Sequence, residues 1–141
     1  MRKRKDGSRR NLKAHSKKDE AVFMNDENEM DVVSANAMQI IMFSGDARES
    51  CMRALDAVSE QDLEKASEML KDAEEKIANA HHIQTDAIQS TIHGEKQEYN
   101  LLFAHAQDTL MTVYSEIHIA KKLVKIFDSM EKRFSDFEKK D

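Results

Sequence analysis

The chain has 141 residues, no proline, only three glycines, and 35% charged residues. A chain of this length is expected to form one domain, and the scarcity of helix breakers predicts an all-α fold. No stretch approaches the about 18 uninterrupted apolar residues of a membrane span, and no signal-peptide pattern is present. The single cysteine, Cys51, cannot form an internal disulfide. This fits a reducing compartment, so we expect a cytoplasmic protein.

The net charge of −5 is the sum of two unlike parts. Residues 1–20 carry nine Lys/Arg against three Asp/Glu, and the remainder carries 13 against 24, which gives +6 and −11. We predict that residues 1–29 form a basic, disordered extension, because the first twenty hold only Met1 and Leu12 as large apolar groups. Residues 30–141 form the predicted domain. We expect no nucleic-acid partner, because the basic arm lacks interleaved aromatic residues and the acidic body opposes a polyanion.

Two amphipathic helices are predicted first. Apolar residues recur at alternating steps of three and four from about residue 30 to residue 58. This stripe contains Met30, Val33, Ala37, Ile40, Ile41, Ala47, Cys51, Leu55 and Val58, with Ser44 and Arg48 as polar members. The next helix is predicted to begin after Asp62, a good N-cap, and to end at Gly94. Its stripe contains Leu63, Ala66, Leu70, Ala73, Ile77, Ala80, Ala87, Ile88 and Ile92.

The third predicted helix runs from about Tyr99 to beyond Phe127 and carries two stripes. The first contains Leu102, Ala106, Leu110, Val113, Ile117, Ala120, Val124 and Phe127. The second stripe contains Leu101, His105, Asp108, Thr112, Ile119, Leu123, Ile126 and Met130, followed by Phe134 and Phe137. Three long helices with short connections predict an antiparallel three-helix bundle. Because a monomer needs only one apolar stripe on this helix, the second stripe predicts another partner, such as a second copy of the chain.

The polar members of the second stripe allow several interpretations. A histidine and a carboxylate three residues apart, such as His105 and Asp108, can be a metal pair, a general-base pair or unrelated surface residues. Without further information, a lone histidine beside an apolar stripe is more often structural. The adjacent His81 and His82 point about 100° apart and cannot easily share a metal. A di-iron centre is excluded, because no Asp or Glu lies three residues before any histidine. A purely structural helical adaptor remains open.

Four segments in order resemble one known family. They are "SGDARESCMRALDA" at residues 44–57, "QDLEKASEML" at 61–70, "AHHIQT" at 80–85 and "HAQDTLM" at 105–111. Together they are similar to the lactose/cellobiose-type IIA component of the bacterial phosphoenolpyruvate-dependent sugar phosphotransferase system. The resemblance covers about residues 30–130.

This resemblance implies a homotrimer of three-helix bundles that serves the uptake of a β-linked disaccharide of the lactose, cellobiose or chitobiose class. It implies that His105 accepts a phosphoryl group from the phosphocarrier protein HPr and passes it to the cysteine of a IIB component. It also implies that Asp108 and its two symmetry mates hold Mg²⁺ or another divalent cation on the trimer axis. The membrane is reached only through the IIC component, to which sugar specificity belongs.

The residue types around His105 suit such a role. A neutral imidazole is nucleophilic at cytoplasmic pH, and phosphoryl transfer depends on donors that face the equatorial oxygens. Gln107, Thr109 and Thr112 are the candidate donors, although Gln107 points away from His105 on an ideal helix and could serve only a neighbouring chain or partner. The family usually has a second histidine where this chain has Thr109. Transfer could therefore be slower, or the protein could be a regulatory adaptor derived from this family.

Overall fold

A computed structural model describes residues 30–93 and 99–139. It contains α1 (Val32–Ser59), α2 (Leu63–Ile92) and α3 (Leu101–Glu138), and no strand occurs within these residues. The predicted all-α, three-helix fold is therefore confirmed. The predicted extension at residues 1–29, and Gly94 as the predicted end of the second helix, lie outside the described residues. None of the helices in the described part has an apolar stretch sufficient to cross a bilayer.

Side chains at the helix starts explain where α2 and α3 begin. The carboxylate of Asp62 accepts a hydrogen bond from the backbone N–H of Lys65 at 3.0 Å, as expected of the predicted N-cap. Asn100 caps α3 in the same way, because its side-chain oxygen accepts from the N–H of Phe103 at 3.0 Å. The amide nitrogen of Asn100 also donates to the hydroxyl of Ser34 at 3.1 Å. The start of α3 is thus fixed beside the start of α1.

Small side chains allow the three helices to approach closely. The buried alanines are Ala37, Ala47, Ala54, Ala57, Ala66, Ala73, Ala80, Ala87, Ala106 and Ala120. The largest side chains that are fully buried include Ile40, Leu110 and Ile117. Close-packed interiors tolerate few voids, so these branched residues occupy the space that the alanines leave between the helices.

The core differs from the predicted stripes at the ends of the helices. Phe103 is buried, whereas Leu102, which was predicted for the core, is only partly buried. Ile88 and Ile92 of the predicted α2 stripe are exposed, because they line an open groove beside the start of α3. Met30 is also exposed, since α1 begins only at Val32. The stripes identify the buried faces correctly, but they do not tell how far along each helix the packing extends.

Ion pairs join the helices around this core. Arg48 on α1 makes a two-pronged contact with Glu116 on α3, with N–O distances of 2.8 and 3.1 Å. Lys121 on α3 pairs with Glu74 on α2. Arg48 had interrupted the predicted α1 stripe, and the contact with Glu116 explains how a charged group is accommodated there.

The second stripe of α3 is uncovered within the described part of the chain. The exposed fractions are 73% for Leu101, 58% for Ile119, 46% for Leu123 and 55% for Ile126. A row of large apolar side chains of this kind marks an interaction surface more often than plain solvent-facing helix. The exposure agrees with the predicted need for a partner, while the homotrimer itself stays a prediction.

Candidate functional site

His105 lies in the second turn of α3, on the exposed side of the helix. The cap at Asn100 makes the helix start four residues earlier, so His105 lies within regular helix. Its position leaves the imidazole open to approach by another molecule. A nucleophile that exchanges a group with a macromolecular partner needs such access.

Thr109 lies one turn after His105 and is half-buried. Its hydroxyl donates to the backbone carbonyl of His105 at 2.9 Å. Threonine commonly makes this bond to the preceding turn. Because the hydroxyl proton is engaged, Thr109 can donate to a phosphoryl oxygen only if it leaves that carbonyl.

Asp108 and Thr112 are exposed and lie one turn apart on the second stripe. Asp108 makes no hydrogen bond or ion pair with other described residues. Within residues 30–93 and 99–139, no group of three His, Cys, Asp or Glu side chains is placed to hold a metal ion. A metal at Asp108 would therefore need carboxylates from other chains. A free, exposed carboxylate is a suitable oxygen ligand for a hard cation such as Mg²⁺.

Gln107 lies on a different side of α3. Two residues along a helix correspond to about 200°, so Gln107 points away from His105. It lines an open groove of about 400 Å³ at the end of the bundle. The other lining residues are Val33, Ile88, Thr91, Ile92, Tyr99, Asn100, Phe103 and Ala104. The structure thus brings His105, Asp108, Thr109 and Thr112 to one side of α3 and leaves Gln107 out.

Two other histidines of the described helices, His81 and His118, pack against the ring of Tyr114. The rings of His81 and Tyr114 meet edge to face with centroids 4.9 Å apart, and the ring of His118 lies 4.3 Å from that of Tyr114. His118 Nδ1 is 2.9 Å from the backbone oxygen of Tyr114. These residues line a second groove, about 410 Å³ in volume, between α2 and α3. Tyr114 is nine residues beyond His105, or about 14 Å along the helix, so this groove is separate from His105.

The buried thiol of Cys51 is not activated for chemistry. Its pKa is raised, first because burial disfavours the thiolate and second because the carboxylate of Glu116 lies nearby. The same carboxylate raises the pKa of Arg48 through their hydrogen bond. This supports the interpretation of Cys51 as a packing residue. Sequence reasoning missed Glu116, although a charged Arg48 within an apolar stripe signals an acidic partner on a facing helix.

Comparison with known proteins gives the identity of the domain. The family described as "PTS system, Lactose/Cellobiose specific IIA subunit" matches residues 35–128. The lichenan-specific phosphotransferase enzyme IIA component of Bacillus subtilis (strain 168) is 39% identical over 92 residues, which are 65% of this chain and 84% of that protein.

Solved structures similar to this chain agree with the family match. The cellobiose-specific enzyme IIA of the phosphotransferase system from Bacillus anthracis is 35% identical, with a TM-score of 0.69 over 73% of this chain and 94% of the other. The IIA(chitobiose)–HPr complex of Escherichia coli shares the fold, with a TM-score of 0.62, 24% identity, and coverage of 72% and 99%. The family match covers two thirds of the chain, including α2 and the His105 region. The chain therefore belongs to the lactose/cellobiose-specific IIA family and is a phosphotransferase component of a sugar-transporting phosphotransferase system.

Proposed function

We propose that the chain carries a phosphoryl group on His105, which it accepts from HPr and passes to a cysteine of a IIB component during uptake of a β-linked disaccharide. The observation that carries this proposal is the exposed imidazole of His105 on the same side of α3 as Asp108, Thr109 and Thr112. HPr is proposed as the donor because the related chitobiose IIA of Escherichia coli was solved in complex with it.

The transfer requires one nucleophile and correct positioning. An imidazole nitrogen of His105 attacks the phosphorus, and a new N–P bond forms as the bond to the donor breaks. In the second transfer, the phosphoryl group leaves His105 and bonds to the sulfur of the IIB cysteine. The hydroxyls of Thr109 and Thr112 are the proposed donors to the equatorial oxygens on this side of α3. Gln107 takes part only from a neighbouring chain or through the docked partner, because it lines a different groove.

The second stripe is the proposed interface of a homotrimer, in which three copies of Asp108 meet on the axis. Like charges close together repel one another, and burial at an interface strengthens the repulsion. A bound Mg²⁺ or similar divalent cation would neutralise most of that charge. Asp108 is suited to this role because its carboxylate is exposed and uncommitted within the described part of its own chain. His105, rather than the metal, exchanges the phosphoryl group.

The test is phosphate uptake by wild type and by His105→Gln, incubated with phosphoenolpyruvate, Enzyme I and HPr. We expect one acid-labile phosphate per wild-type chain and none on His105→Gln. The variant should keep its helical circular dichroism, because His105 is exposed and outside the core. His82→Gln is the matched control, since His82 is also an exposed helical histidine and should leave uptake intact. Full phosphorylation of His105→Gln would contradict the assignment.

The alternative is a regulatory adaptor, and Thr109 is the residue that favours it. The family usually has a histidine at this position, and the hydroxyl of Thr109 is bonded to the carbonyl of His105. Thr109→His separates the two proposals. As a carrier, the variant should take up phosphate from HPr faster than wild type. A wild-type protein that never takes up phosphate would instead support the adaptor.

A further inference from the structure

Helix α3 is longer than the helices that pack against it. It has 38 residues, compared with 28 in α1 and 30 in α2. The Asn100–Ser34 and Glu116–Arg48 contacts fix the alignment of α3 with α1. Counting along the helices from these contacts, the end of α1 is level with about residue 127 of α3. The Lys121–Glu74 pair likewise places the start of α2 level with about residue 132.

The end of α3, residues 129–138, is here called the C-terminal overhang. Every residue in it is exposed except Ser135, which is half-buried. Three of the exposed side chains are large and apolar: Met130 at 48%, Phe134 at 64% and Phe137 at 67%. A short helical segment that gains no tertiary packing is only marginally stable in water, and the exposure of its aromatic rings to water is a further unfavourable contribution. The overhang therefore needs a partner that covers these residues.

These three residues continue the second stripe. From Ile119 the apolar positions are Leu123, Ile126, Met130, Phe134 and Phe137, at steps of four, three, four, four and three. At about 100° per residue, all six positions fall within about 80° of one another around the helix. The opposite side of the overhang is charged, and Lys132 pairs there with Asp128 at 2.6 Å. The overhang is therefore amphipathic, and its apolar side faces the same direction as Ile119.

The overhang also lies outside the segment that defines the family. The family match ends at residue 128, whereas α3 continues to Glu138. Its three large apolar residues therefore lie beyond the segment that the family match covers. They are placed where they would lengthen the interface that the domain is proposed to form.

We propose that the overhangs of three copies pack together as a short parallel three-stranded coiled coil that prolongs the trimer interface beyond the bundle. This inference rests on the homotrimer of the proposed function. The partner that covers each overhang is another copy of this chain, because the apolar row is continuous with Ile119 and Leu123. A parallel arrangement also brings each residue opposite its own counterparts in the other copies. A different protein bound only at the overhang would leave this continuity unexplained.

The first test measures the stability of the trimer by sedimentation over a range of concentrations. The double variant Phe134→Ser, Phe137→Ser should raise the concentration of half-dissociation at least about tenfold, which for a three-chain equilibrium corresponds to about 2.7 kcal/mol per trimer. The matched control is Lys132→Ser, Asp136→Ser, which alters the same segment on its charged side and leaves the net charge unchanged. It should shift that concentration less than about twofold, within the effect of a surface ion pair. Both variants should retain the helical circular dichroism of the bundle.

The second test is cross-linking under mild oxidation. Met130→Cys should give disulfide-linked chains, whereas Lys132→Cys, on the opposite side of the helix, should not. Cys51 is fully buried and does not interfere.

The outcomes distinguish the overhang inference from the proposed trimer and from the proposed role of His105. If wild type is a trimer and the double phenylalanine variant dissociates no more readily than its control, the overhang inference is wrong while the trimer stands. The inference is also wrong if that variant loses only phosphate uptake from HPr, since the overhang would then serve another protein. A wild type that sediments as one chain overturns both the overhang inference and the trimer, whereas His105 is tested separately by phosphate uptake.

Discussion

Replacing Ile119 by glutamate should dissociate the assembly without unfolding the chain. Ile119 is 58% exposed in the single chain, while its neighbours Ile117 and Ala120 are buried in the bundle core. A glutamate at residue 119 therefore meets water in the isolated chain. In the proposed trimer, the same side chain would face two copies of itself near the axis.

The size of the effect follows from this exposure. Full burial of an isoleucine side chain contributes about 1.5–3 kcal/mol. Since 58% of Ile119 remains to be buried, the loss is about 1–2 kcal/mol per chain, or about 3–5 kcal/mol for three chains. Uncompensated buried carboxylates add a further penalty of about 3–5 kcal/mol. The two contributions sum to about 6–10 kcal/mol per trimer, which lowers the association constant at least about ten-thousandfold, because each 1.4 kcal/mol is a factor of ten.

Sedimentation equilibrium at micromolar concentration measures this directly. Wild type should have three times the 16.2 kDa mass of one chain, and Ile119→Glu should have that of one chain. Met42→Glu is the matched control, because Met42 is 63% exposed on α1 and lies outside the second stripe. It should remain a trimer. An Ile119→Glu protein that keeps the three-chain mass, or a wild type with the one-chain mass, would refute the reasoning.

Three further predictions concern the metal, the core and an ion pair. Asp108→Ala should abolish retention of a divalent metal in mass spectrometry of the purified protein, and chelation should lower the melting temperature of wild type; a variant that keeps stoichiometric metal would disprove the assignment. Leu110→Ala should lower the free energy of unfolding in urea by about 2–5 kcal/mol, because Leu110 is fully buried. A loss below about 1 kcal/mol would contradict this and show that the bundle closes around the cavity. The pKa of Asp72 is lowered by hydrogen bonds from Lys76 and Ser50, so its ionised form stabilises the fold above the ordinary carboxyl pKa of about 3.9, and this stability is lost as the pH falls through the lower folded pKa. Urea titrations should show wild type more stable than Asp72→Asn by less than about 1 kcal/mol at neutral pH, since the pair is partly exposed. A difference that did not diminish at all as the pH fell below the ordinary carboxyl pKa of about 3.9 would contradict the assignment to ionised Asp72.

Local sequence patterns account for the helices and their starts. The N-cap at Asp62 was predictable because its hydrogen bond with Lys65 spans only three residues. The third helix was predicted from about Tyr99 but begins at Leu101, because Asn100 caps it and also bonds to Ser34 on α1. Periodicity marks the apolar side of a helix within a turn, whereas the exact first residue depends on contacts that are distant in sequence.

Pairings between helices could not be obtained from the sequence. Arg48 was visible as an interruption of the α1 stripe, but Glu116 lies 68 residues away and only the packing of α1 against α3 brings them together. The choice of Phe103 over Leu102 for the core has a similar origin. The two positions differ by about 100° around α3, so the placement of the other two helices decides which one is buried.

The sequence by itself determined the helical class, the helix starts to within two residues, and the family to which the His105 motif belongs, because these depend on short-range periodicity, capping and ordered local motifs. The second stripe of the third helix was also predictable from periodicity alone. Only the tertiary structure decided that Gln107 lines a groove together with residues of α1 and α2, and that α3 extends past the helices packed against it. The physical reason is that the rotation and relative height of packed helices are set by the sum of their contacts, which no short stretch of sequence contains.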